Sequence, residues 1–85
     1  MKPFPLIIAS PDGNLFDGEA VMLSLRGAEG DLAILAGHIP FMTSVKPGSC
    51  KVILPDESER IGELDGGILT VTENAVTLLA GSFHW

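Results

Sequence analysis

The 85-residue, 8.9 kDa chain has room for one domain, residues 1–85, and a chain this short buries only about 60–65% of its unfolded surface. Its 46% hydrophobic content and mean hydropathy of +0.37 argue for a packed core and against disorder. A net charge of −6, from 11 acidic and 5 basic residues, repels phosphate backbones and anionic headgroups, and four Phe, one Trp and no Tyr leave little for a base-stacking platform, so nucleic acid is not expected as a partner.

Residues 3–9 (PFPLIIA) are apolar and rich in β-branched side chains, with prolines confined to the start, and read as a first strand. Residues 10–14 (SPDGN) are dense in turn formers, so the chain should reverse there. Residues 15–18 make a short paired segment. Residues 19–26 (EAVMLSLR) then alternate, with Val21, Leu23 and Leu25 on one face and Met22 the single large apolar side chain on the other.

After a loop at 27–30, residues 31–36 (DLAILA) and 41–45 (FMTSV) read as strands, and Pro47-Gly48 as a turn. Residues 49–54 (SCKVIL) form the next strand and 55–58 another turn. Residues 59–64 (ERIGEL) are polar enough for an edge strand, where charge discourages further pairing. Residues 65–67 turn the chain again.

Residues 68–80 (ILTVTENAVTLLA) admit two readings. Ile68, Val71, Thr72, Ala75 and Leu79 would make a helical stripe, but the β-branched density and the central Glu73-Asn74 favour a hairpin. Phe83 and Trp85 then bracket His84. The sum is eight to ten short strands and no helix, including no C-terminal helical hairpin: an all-β, small, flattened antiparallel β-sandwich or barrel.

Catalytic chemistry finds no foothold. His38, Cys50 and His84 are scattered singly rather than at metal-ligand spacing, no nucleophile elbow is present, and the glycines at 27–30 and 66–67 do not open onto a helix as a phosphate cradle requires. No catalytic, cofactor or metal residue is expected. Cys50, without a disulfide partner, suits a reducing compartment and a buried apolar role. Lys46 and Lys51 flank Pro47-Gly48 without the motif of a lipoyl or biotinyl carrier, which leaves a small β carrier or enzyme as the alternative class. No apolar run approaches the ~18–20 residues that cross a bilayer, and the N-terminal run is too short for a signal peptide, so a soluble, cytosolic protein, or one bound to a membrane only through a partner, is expected.

Glu29-Gly30-Asp31-Leu32 with Ile34, then Gly37-His38-x-Pro40, Thr43, Lys46-Pro47-Gly48, Gly66-Gly67-Ile68-Leu69 and Val76-Thr77-x-Leu79-Ala80 form an ordered set, which Ser10-Pro11, Phe16 and Gly18 extend. From about Leu6 to Ala80 it resembles the N-terminal domain of the epsilon subunit of the rotary ATP synthase. The resemblance implies a flattened ten-strand sandwich at the foot of the central stalk, bound to the gamma subunit and resting on the c-subunit ring. Such a subunit couples proton-driven ring rotation to gamma without making or breaking bonds, at the cytoplasmic face of the plasma (inner) membrane.

Carried over residue by residue, Glu29, Gly30 and Asp31 would face the c ring, with a plain solvated turn as the alternative. Ser10, His38 and Thr43 would face gamma, with a loop-fixing hydrogen bond as the alternative for His38. Gly37 and Pro40 would shape the backbone. Two departures stand out. Ala36 replaces the usual proline before Gly-His, and the sequence stops at Trp85, where typical bacterial members continue into a two-helix domain that restrains ATP hydrolysis. A naturally short subunit without that restraint is the expectation.

Overall fold

The strand pattern is realised in a computed structural model that describes residues 2–85 as ten β-strands, with no helix among the described residues. They are β1 (Phe4–Ser10), β2 (Gly13–Ala20), β3 (Met22–Gly27), β4 (Gly30–Ile34), β5 (Phe41–Val45), β6 (Gly48–Ile53), β7 (Glu59–Leu64), β8 (Gly67–Val71), β9 (Val76–Ala80) and β10 (Phe83–His84). The sheet runs β10-β7-β6-β3-β5-β8-β9-β1-β2, with β4 paired to β3 off this path. All-β architecture is therefore as expected, and β5 and β7 have the expected bounds.

The path falls into two halves, β10-β7-β6-β3 with β4, and β5-β8-β9-β1-β2. They share one ladder pair, Gly27 with Val45, beside which Lys46 N donates to Arg26 O at 2.9 Å. Val21 N donates to Ile53 O at 2.8 Å where the chain passes from β2 into β3. At the far seam, between the outer strands β10 and β2, Trp85 Nε1 donates to Leu15 O at 3.0 Å. Its ring stands edge-on to Phe83 and Phe16, with centroids 4.9 and 6.2 Å away, and the Arg60 guanidinium carbon lies 4.0 Å from the ring centroid. An aromatic clasp thus closes what ladder hydrogen bonds leave open.

Three expectations need correction. The strand expected over 19–26 is divided at Val21, because β2 begins at Gly13 and the chain switches halves after Ala20; only Pro11-Asp12 is left to make the β1–β2 turn. The turn expected at Pro47-Gly48 is instead a corner between halves: Gly48 already begins β6, β5 pairs with β8 and β6 with β7. And one ladder is parallel, β1 against β9 from Leu6–Val76 to Ala9–Leu79, so the sandwich is not wholly antiparallel. The polar β7 is an edge only in part, since β10 pairs with Leu64 and Glu63 alone. The 68–80 stretch is the expected hairpin, with Thr72 Oγ1 accepting from Asn74 N and Ala75 N inside the turn.

Alternation along the strands fills the interior. Leu6, Ile8, Leu23, Ile34, Cys50, Val52, Leu69 and Leu78 are fully buried, and among the described residues no polar or charged side chain joins them. A fully buried Leu or Ile contributes about 1.5–3 kcal/mol each. Burial also pushes the Cys50 thiol up to about 12, so it stays neutral and packs as a small apolar residue. Gly62 is required by packing, since a Cβ there would lie 2.5 Å from Phe83 Cζ.

Candidate docking surfaces

The β3–β4 hairpin turns through Ala28-Glu29 between the paired Gly27 and Gly30. Gly30 has φ of +135°, a conformation that disfavours any side chain, so the glycine is set by the turn. Glu29 and Asp31 are exposed, and Asp31 Oδ1 lies 3.9 Å from Arg26 Nε with both side chains largely in solvent. A pair this exposed contributes about 0–1 kcal/mol, so both carboxylates remain available to another surface.

His38 closes a turn whose third residue, Gly37, has φ of +84°, and its N–H donates to Leu35 O at 3.2 Å. Ala36 at the second position is compatible with this turn. His38 Nδ1, assigned as the protonated nitrogen because it faces a carbonyl, donates to Ile39 O at 2.9 Å, and the ring leans on Phe41 at 5.0 Å. The loop-fixing hydrogen bond is therefore present, and Nε2 is left without a partner among the described residues. Ser10 Oγ accepts from Asp12 N at 3.2 Å and organises the β1–β2 turn. Thr43 lies half-buried on β5, on the side that Val45 buries, and its hydroxyl donates to Ser44 O at 3.2 Å.

These three residues do not converge. Ser10 ends β1 at the edge of the half where Val45, Gly67 and Ala80 also lie, whereas His38 precedes the opposite end of β5. Three strand spacings, about 14 Å, separate β1 from β5. Ser10 and His38 thus lie at diagonally opposed corners of this half, and both Ser10 and Thr43 take the core-side parity of their strands.

Between those corners lies a surface the sequence did not single out. Directly opposed residues form an outward row Ser44, Ile68, Leu79, Ala9 and a second row Met42, Thr70, Thr77, Ile7. Met42, Ile68 and Leu79 are 69%, 47% and 53% exposed. Neither row contains a charge. The signal was present in the doublets Ile7-Ile8, Ile68-Leu69 and Leu78-Leu79: successive strand residues face opposite ways, so paired apolar residues make both faces apolar.

The other half is different in kind. Its outward rows hold Asp31 beside Arg26, Ser24 beside Lys51 and Ile61, and Ser49 beside Glu63 and His84, with Ser49 Oγ donating to Glu63 Oε1 at 2.8 Å. A recess of about 260 Å³ among Ser24, Arg26, Asp31, Ser49 and Lys51 carries both signs of charge. A second, of about 300 Å³, lies between residues 2–5, the 35–38 turn and the 72–76 turn. Among the described residues no group of three or more His, Cys, Asp or Glu is arranged to hold a metal ion.

The arrangement defines an all-β sandwich domain whose chemistry is carried by two contrasting outer faces and an acidic hairpin. Residues 3–85 match the family described as ATP synthase, Delta/Epsilon chain, beta-sandwich domain, and the chain belongs to that family. Among solved structures, a chain of the Euglena gracilis mitochondrial ATP synthase (OSCP/F1/c-ring) superposes with a TM-score of 0.90 at 19% identity, over 95% of this chain and 52% of that one. A chain of the Tetrahymena thermophila mitochondrial ATP synthase central stalk and c ring gives 0.82 at 14% identity, over 95% of this chain and 65% of that one. The sequence thus spans about half to two-thirds of these chains, and at such identities the likeness concerns the fold.

Proposed function

We propose that these residues act as one domain of a rotor subunit in an ATP synthase, docked on the gamma subunit and resting on the c ring, so that ring rotation is passed to gamma. The domain itself makes and breaks no bond. The observation that carries this reading is the uncharged face over β5, β8, β9 and β1, in which exposed Met42, Ile68 and Leu79 form an apolar patch of the size that functional surfaces have. Covering the exposed parts of Met42, Ile68 and Leu79 removes of the order of 300 Å² of apolar surface, worth about 8 kcal/mol before the cost of association.

Gamma is the occupant of that face in this reading and reaches Ser10 and His38 beyond its opposite ends; Thr43, on the core side of β5, backs the face rather than lying in it. Glu29, Gly30 and Asp31 face the polar loops of the c ring, where complementary charge fixes register more than it adds affinity. The domain reaches the membrane surface, on the cytoplasmic side, through the complex; no helix of the described residues is long and apolar enough to cross a bilayer. Restraint of ATP hydrolysis is not a task assigned to the sandwich.

The test is direct. The chain, mixed with purified gamma subunit, forms a complex at micromolar concentration by calorimetry; absence of association there overturns the proposal.

A further inference from the structure

The four strands that build the uncharged face contain no charged residue in any position: FPLIIAS in β1, FMTSV in β5, GILTV in β8 and VTLLA in β9. Immediately beside them, β2 carries two acids in GNLFDGEA. Across the β1–β2 ladder Ile7 opposes Asp17 and Pro5 opposes Glu19, and directly opposed residues share one side of a sheet. Ile7 lies between the fully buried Leu6 and Ile8, so its side faces outward, and Asp17 continues the row Met42, Thr70, Thr77, Ile7. Glu19 follows on the same side, about 7 Å along β2.

Both acids are exposed, and the one ion pair among the described residues, Arg26 with Asp31, lies on the other half. The remaining charges near the borders of the face are Asp12 in the β1–β2 turn, Lys46 beyond β5, Glu73 in the β8–β9 turn and Lys2 before β1. Along β2 itself the border is purely acidic.

We propose that Asp17 and Glu19 form an acidic rail that orients the partner on the uncharged face, and that the partner's matching surface is an apolar strip flanked on one side by basic side chains. The proposal rests on the docking reading above, with gamma as that partner. Apolar contact is non-directional, so a face of nearly uniform chemistry supplies affinity without fixing which way round a partner sits. Two unpaired carboxylates on one border remove that ambiguity: a partner turned by half a revolution would set its cations beside β5, which carries no charge. The rail also attracts those cations before contact, which raises the rate of encounter.

The experiment compares association of the whole chain with purified gamma, for the natural sequence, for Asp17→Lys/Glu19→Lys and for Asp17→Asn/Glu19→Gln, at low and high salt. At low salt the association rate of the lysine variant falls at least tenfold and that of the amide variant falls less. In 0.5 M salt the three converge within about twofold, because screening removes the steering. Unchanged thermal unfolding shows that the exposed substitutions leave the fold intact. Equal low-salt rates for all three, with the natural chain binding gamma, overturn the rail alone. No binding by the natural chain overturns the docking reading and the rail with it.

Discussion

Leu79→Glu and Ile61→Glu apply the same chemical change to the two opposite faces. Leu79 is 53% exposed in the uncharged face, between Ile68 and Ala9, and Ile61 is 59% exposed among Lys51 and neighbouring polar residues of the other half. Covering the exposed part of Leu79 removes about 100 Å² of apolar surface from water, or about 2.5 kcal/mol, and a carboxylate placed there must also be desolvated. Binding of gamma should therefore weaken at least 100-fold in Leu79→Glu, since about 1.4 kcal/mol is tenfold. Ile61→Glu should bind within about twofold of the natural chain. Isothermal titration calorimetry gives both numbers, and urea unfolding checks that neither variant loses its fold. Equal losses in the two variants, or no loss in Leu79→Glu, would refute the assignment of the docking face.

Gly62→Ala should destabilise the domain by about 1–3 kcal/mol in urea unfolding, because its Cβ would sit 2.5 Å from Phe83 Cζ and force that ring out of its seat. Cys50, buried and with its thiol pushed up to about 12, should react with a thiol reagent at pH 8 only as fast as the domain opens, so labelling followed over time reports opening rather than thiol chemistry. Asp56 accepts hydrogen bonds from the Ser58 hydroxyl and N–H, at 2.5 and 2.9 Å, and these hold its carboxyl below the usual value. A depressed folded value stabilises above the unfolded pKa and is lost as pH falls through the folded one. Ser58→Ala should therefore be less stable at pH 7, with the gap narrowing near pH 2 in paired urea curves.

Element identity was legible wherever turn chemistry was local. Pro40 and Pro47 bracket β5, Asp56-Glu57-Ser58 precedes β7, and Glu73-Asn74 with its β-branched flanks separates β8 from β9. What escaped were events decided by distant chain. Val21 continues the alternation of its neighbours without interruption, so the corner there is visible only through Ile53 O, which its N–H meets. The parallel pairing of Leu6 with Val76 has no local signature, and neither has the reach of Trp85 to Leu15 O.

The candidate surfaces divide the same way. The acidic hairpin was legible because glycines frame its acids. Thr43, by contrast, is half-buried on the core side of β5, and the residues that face outward beside it are Met42 and Ser44. Period-two alternation told which residues share a side, but only the ladder registers told which sides join into one face.

The corners at Val21 and at Lys46-Pro47 have a mechanical consequence. A part driven at one surface and loaded at another is sheared, and a sandwich whose layers met only through side chains would resist by packing alone. Here the backbone itself crosses from one half to the other at both corners, so sliding one half over the other stretches covalent chain as well as displacing its core. On the far seam Trp85 adds a clasp where no strand crosses between the outer strands. A torque entering through one face would thus meet a stiff body.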